Sequence, residues 1–150
     1  MNDENPDALL DAVGAAFSRL RRRTTNSLAA GGATKRDLTR NLVVNLVDEA
    51  DDEVTVGAVA EQLNVDPSVA SRMVADCIDT GYLRRDASAT DGRRTVLSLT
   101  PAGIELRDRF RKLQREAFEQ ITAAWSERDR VEFARLLVRY AEDSGGRRAH

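Results

Sequence analysis

A chain of 150 residues can bury one moderate core, and its formal net charge of -2, from 23 basic and 25 acidic side chains, is not the strongly basic balance of a non-specific nucleic-acid coat. One cysteine, Cys77, excludes an internal disulfide and a cysteine-based zinc site, and the only histidine is His150, so neither a metal nor a cofactor is expected. No apolar run approaches the roughly 20 residues a bilayer requires, and the acidic start Met1-Asn2-Asp3-Glu4-Asn5 is unlike a signal peptide, so the expected location is cytoplasmic with no membrane partner.

The N-terminal third reads as helical. Leu9, Leu10, Val13, Ala16, Phe17 and Leu20 form one apolar stripe. Arg19, Arg21, Arg22 and Arg23 on the same helix are readable either as a solvated face or as a site for an acidic effector. After Gly31-Gly32 a second helix carries Leu38, Leu42, Val43, Leu46 and Val47, opened by a candidate capping box, Thr34-Lys35-Arg36-Asp37. The acids Asp48, Glu49, Asp51, Asp52 and Glu53 follow, most simply as a solvated turn, with partner binding as the alternative.

Two short helices come next. Thr55 suits an N-cap, with Val56, Val59, Ala60 and Leu63 on one face. Asn64 tolerates the left-handed conformation that ends a helix, and Asp66-Pro67 pairs an N-cap with a proline at the first helical position. In the second helix Ala70, Met73, Val74, Cys77 and Ile78 recur at three- and four-residue steps. Ser68, Val69, Ser71 and Arg72 fall on its first turns or its opposite face. This is a helix-turn-helix pattern, whose small polar groups allow close approach to base edges while Arg72 reaches a guanine or a phosphate. Val69 suits either a thymine methyl or a packing role. Cys77, on the apolar face, reads as a buried, protonated small hydrophobe, against the alternative of a redox switch.

Gly81 ends that helix, and Tyr82-Leu83-Arg84-Arg85 and Thr95-Val96-Leu97-Ser98-Leu99 are expected to be strands around a loop containing Asp91-Gly92. Arg93 and Arg94 follow the turn, and arginine at the end of a protruding hairpin suits the narrow minor groove. The charge is thus concentrated locally, which matters more than the sum. The near absence of lysine favours bidentate phosphate and guanine contacts, although genome base composition explains the bias equally well.

Thr100-Pro101 starts a helix in which Ile104, Leu106, Phe110, Leu113, Ala117, Ile121, Ala124 and Trp125 continue for about 25 residues, or roughly 37 Å. Arg107, Arg111 and Arg115, interleaved with Glu105, Asp108, Glu116 and Glu119, read either as a solvated face with weak ion pairs or as an effector site. Ser126-Glu127-Arg128-Asp129 opens a last helix with Val131, Ala134, Leu137, Val138 and Ala141 inward, ended by Ser144-Gly145-Gly146 and a frayed tail. These helices leave an apolar stripe that the chain itself is too small to cover. A second subunit is the expected cover, through Leu9, Leu10, Val13, Phe17, Phe110, Leu113, Ile121 and Leu137. The alternative is an ordinary monomer core.

Taken together, Thr55-Val56-Gly57 with Ala60-Glu61, Pro67-Ser68 with Ser71-Arg72, Gly81-Tyr82-Leu83 with Arg85, and Asp91-Gly92-Arg93 leading to Val96, Leu97, Leu99-Thr100 and Gly103 resemble the MarR family of bacterial winged-helix regulators. The Asp-x-Arg wing followed by the Leu-Thr-x-x-Gly helix start is the most family-specific piece. The resemblance implies a single domain over 1–150, mainly α with a small β-hairpin wing. Its winged helix-turn-helix lobe spans about 34–100, and its dimerisation helices about 6–33 and 101–144. It also implies a homodimeric repressor on a palindromic double-stranded DNA operator, with half-sites about 34 to 36 Å apart. Pro67, Ser68, Val69, Ser71 and Arg72 would lie in the major groove and Arg93 and Arg94 at the minor groove. Asp91 would orient Arg93 through a salt bridge, and a small aromatic or anionic effector would release the DNA. Val69, Ala70, Asp76 and Ile78 depart from the common pattern, so no operator sequence carries over. No nucleophile motif, metal spacing or phosphate loop suggests an enzyme. The competing function is a winged helix used for protein contact.

Overall fold

The structure, a computed structural model, describes residues 5–145, with side chains outside 24–30. Its elements are α1 (Pro6–Ala30), α2 (Lys35–Glu49), α3 (Val56–Leu63), α4 (Pro67–Asp79), β1 (Leu83–Ala87), β2 (Thr95–Leu99), α5 (Pro101–Ile121) and α6 (Glu127–Gly145). The frayed tail expected from Gly146, with His150, lies outside the described residues. The chain divides after Gln114 into two compact units. No helix of the described residues is long and apolar enough to cross a membrane.

Local chemistry sets most of the boundaries. Thr34 and Asp37 form the capping box that opens α2: Thr34 Oγ1 accepts from the Asp37 N–H at 3.0 Å, and the Asp37 carboxylate accepts from the Thr34 N–H at 3.1 Å. Thr55 caps α3 by accepting from the Ala58 N–H at 3.1 Å. At the end of α3, Asn64 is left-handed (φ 52°), while Val65 and Asn64 donate back to Ala60 and Glu61. Pro67 starts α4, but the Asp66 side chain makes no cap bond; its backbone carbonyl takes the Val69 and Ala70 N–H groups instead. The same closing arrangement as in α3 ends α4, with Gly81 left-handed (φ 82°), Tyr82 donating to Cys77 and Gly81 to Ile78.

The core of the first unit lies where α2, α3, α4 and the hairpin meet, around the fully buried Val43, Val44, Val59, Val74, Cys77 and Leu83. On α2 the buried face turns by a position from expectation: Val44 is buried and Leu42 exposed, because α4 and β2 pack on the Asn41, Val43 and Val44 side. β1 and β2 pair antiparallel with Leu83 opposite Leu99 and Ala87 opposite Thr95, and Val54 adds one bridge to Leu97.

The base of the hairpin explains the Leu-Thr-x-x-Gly run. Thr100 donates its hydroxyl to the Gly81 carbonyl (2.5 Å) and its N–H to the Tyr82 carbonyl (3.1 Å), and its Oγ1 caps α5 by accepting from the Gly103 N–H (3.1 Å). Gly103 is consequently pressed against the Tyr82 carbonyl, leaving no room for a Cβ.

Two expectations for α5 are corrected. Phe110, assigned to a subunit interface, is 1% exposed and belongs to the core of its own lobe. It lies one turn from Leu106 and two from Gly103, and these three positions form the buried face of the helix. The helix also stops at Ile121, after 21 residues rather than about 25. Thr122 is buried and returns its hydroxyl to the Phe118 carbonyl (2.8 Å), Trp125 N–H donates to Thr122, and Ser126 Oγ accepts from the Asp129 N–H (3.1 Å) to open α6. Trp125 therefore sits in the turn, edge-on to Phe133, which stacks on Phe118 at 6.2 Å between ring centres.

Of the other residues assigned to an interface, Leu9, Leu10, Val13, Phe17, Ile121 and Leu137 are exposed and Leu113 is half-buried. Val131, Val138 and Ala141, expected to face inward on α6, are also exposed, and no residue of α6 is buried.

Candidate nucleic-acid interface

α4 packs against α2, α3 and β1, which makes the helix and the hairpin parts of one packed lobe. Its apolar positions are buried at Ala70, Val74 and Cys77, and this turns Pro67, Ser68, Ser71 and Arg72 outward. Val69 is half-buried between the two faces. Burial pushes the Cys77 thiol up to about 11, so it is protonated at neutral pH.

Asp76, one of the departures from the family pattern, is tied to α2. Arg40 grips its carboxylate with two bonds, Nε to Oδ2 at 2.7 Å and Nη2 to Oδ1 at 3.2 Å. These bonds hold the Asp76 carboxyl below its ordinary range against the opposing effect of burial, and raise the Arg40 guanidinium.

In the hairpin, Arg84 is paired with Asp86 at 3.1 Å, whereas the side chains of Arg72, Arg85 and Arg93 have no hydrogen-bond or ion-pair partner among the described residues. Arg93 and Arg94 are exposed at the tip, as are Asp91 and Gly92. The salt bridge expected between Asp91 and Arg93 is absent from the described ion pairs. Asp91 Oδ1 accepts instead from the Arg93 backbone N–H (3.1 Å), and its carbonyl accepts from the Arg94 N–H (2.9 Å). The aspartate thus shapes the turn and leaves the guanidinium free, because an Asx turn satisfies it locally.

The acidic run before α3 is also corrected, since it is more than a solvated turn. Asp48 takes Arg107 Nη1 at 2.5 Å and Arg111 Nη2 at 2.9 Å, joining α2 to α5, so those two arginines are not merely a solvated face. Arg115 keeps the simple helical pairing, with Glu119 at 2.9 Å. Glu53 accepts from the Ser88 hydroxyl (2.5 Å) and the Ala89 N–H (2.7 Å), and these two bonds, with the charge of Arg94, hold its carboxyl below the usual range. Neither Glu53 nor Ser88 stands out in sequence. The one available signal is the Ser-Ala-Thr-Asp run from Ser88, which favours side-chain-closed turns. No group of His, Cys, Asp or Glu able to hold a metal occurs among the described residues.

Residues 37–94 match a family model described as MarR family. A curated relative, a putative transcriptional regulatory protein for the hcr operon of Thauera aromatica, is 32% identical over 88 residues. The match covers 58% of this chain and 53% of the relative, so the chain spans about half the length of the curated relative it matches. Among solved structures, a MarR family protein from Bacillus stearothermophilus superposes with a TM-score of 0.70 at 15% identity, covering 97% of this chain and 99% of that one. The S. aureus MepR-DNA complex gives 0.59 at 17% identity, covering 86% and 94%. Residues 37–94 are thus similar to the MarR family, and the chain shares the winged-helix fold of a solved MarR family protein.

Proposed function

We propose that the protein is a homodimeric transcriptional repressor that reads a palindromic operator. In this reading α4 enters the major groove through Pro67, Ser68, Val69, Ser71 and Arg72, and the wing offers Arg93 and Arg94 to the minor groove. The observation that carries it is the presence, on one packed lobe, of exposed polar first turns of α4 and an exposed wing with an unpaired arginine among the described residues. A wing built for protein contact would present apolar or acidic groups there. The relative crystallised with DNA and the relative described as an operon regulator support the same reading.

The homodimer is inferred from apolar exposure. α1 presents Leu9, Leu10, Val13, Phe17 and Leu20, and α6 presents Val131, Leu136, Leu137 and Val138. Each set is a face for which a second subunit is the natural cover. Release by a small aromatic or anionic effector is carried over from the family resemblance alone, and a fall in operator affinity on adding such a compound tests it.

The decisive experiment selects bound duplexes from random DNA and measures the mass of the free and bound protein. A recovered palindrome bound by two copies is the expected result; no enrichment at low salt favours the protein-contact function. On the selected site Arg93→Ala is expected to lower affinity by about 1 to 3 kcal/mol, and full affinity would remove the wing from the interface.

A further inference from the structure

Glu53 stands one residue before Val54, whose carbonyl accepts from the Leu97 N–H at 2.8 Å. That bridge brings the Glu53 backbone beside the hairpin, and the two carboxylate oxygens then take different wing donors. Oε2 accepts from the Ser88 hydroxyl at 2.5 Å and Oε1 from the Ala89 N–H at 2.7 Å. Ser88 is buried, and its Oγ accepts in turn from the N–H groups of Thr90 (3.2 Å) and Asp91 (3.0 Å). The Ser88 N–H donates to the Arg94 carbonyl at 2.8 Å, which closes the loop.

The Ser88 hydroxyl has one proton, and giving it to a carboxylate makes its oxygen a stronger acceptor for the two amides behind it. Ala89 is therefore held directly by Glu53, and Thr90 and Asp91 at one remove through Ser88. Asp91 then sets the turn that carries Arg93. Ordering the loop before DNA arrives removes an entropy cost that a mobile wing would meet on binding.

The geometry points to Glu53 as a positioning residue for DNA reading: from the body of the lobe, its carboxylate fixes the wing loop and so the backbone from which Arg93 and Arg94 project. This rests on the DNA-binding function proposed above. Glu53 itself contacts no DNA in this scheme; its oxygens are already occupied by the wing.

The test uses the full chain with Glu53→Gln, Ser88→Ala, and the same changes in an Arg93→Ala, Arg94→Ala background. In the free protein, Glu53→Gln is expected to speed amide exchange of Ala89 to Asp91 by about tenfold while α3 and α4 stay protected. On the selected operator it is expected to lower affinity about tenfold, the scale of one groove arginine, with Ser88→Ala doing the same. In the background lacking both arginines neither change has a further effect, which a general loss of stability would not reproduce. Unchanged wing exchange overturns the proposal, as does faster exchange with full operator affinity, or an equal loss in the arginine-free background. A wild-type chain that selects no duplex overturns the DNA-binding function and the purpose given to the wing, even where exchange shows Glu53 fixing the loop.

Discussion

Replacing Phe110 with alanine separates a core residue from an interface residue. The ring is 1% exposed, on the α5 face shared with Leu106 and Gly103. Burying such a side chain is worth about 1.5 to 3 kcal/mol in transfer alone. The void left when its neighbours only partly relax brings the expected loss to about 3 to 5 kcal/mol. For a chain of this size each kcal/mol moves the thermal midpoint by roughly 2 to 4 °C, so a fall on the order of 6 to 20 °C is expected. The assay is thermal and urea unfolding at two protein concentrations about fiftyfold apart, with sedimentation of the folded variant. A core defect lowers both midpoints equally and leaves self-association intact, whereas an interface defect acts through mass action and makes the loss depend on concentration. A concentration-dependent loss, or a stable variant that dissociates, would refute the assignment of Phe110 to its own lobe.

Gly103→Ala is expected to destabilise the lobe by more than the few tenths of a kcal/mol of an ordinary surface change, because the new Cβ collides with the Tyr82 backbone, which cannot swing aside; urea unfolding at wild-type stability would show that the hairpin base yields easily. Asp76 carries a pH signature. Its carboxyl is held below the ordinary value of 3.8, first by the hydrogen bond from Arg40. A depressed folded value means that the stabilisation is fully present above pH 3.8 and is lost as pH falls through the lower folded value. Wild type should therefore lose stability more steeply than Asp76→Asn below that pH, and parallel acid limbs in urea titrations would deny the pair its role.

The features legible in the sequence are those governed by neighbouring residues. The caps at Thr34 and Thr55, the left-handed Asn64, the helix-ending Gly81 and the proline at the start of α4 all follow from interactions within a few positions. The outward set on α4 follows as well, since its helical period fixes which side chains the core claims. What escaped is non-local. Asp48 meets Arg107 across 59 residues, Asp76 meets Arg40 across 36 and Glu53 meets Ser88 across 35. An acid's partner is set by packing and leaves no periodic trace. Phe110 belongs to the same case: the apolar stripe of α5 runs on without a break in sequence, and only the packing of the first unit shows that Leu106 and Phe110 are covered while Ile121 is exposed. The break at Thr122 was hidden because its apolar spacing continues through Trp125, and a buried threonine returning its hydroxyl to the preceding turn is indistinguishable in sequence from one inside a helix.

The placement of Cys77 gives the molecule its own reporter of opening. It is the chain's single thiol, wholly enclosed on the inner side of α4 and protonated at working pH. A thiol reagent can reach it only when that helix lifts from α2 and the hairpin, so the labelling rate in unmodified protein measures how often the lobe comes apart. Any operator or small molecule that binds only the closed lobe must slow that rate, and its occupancy can be counted without a tag, a dye or an engineered substitution.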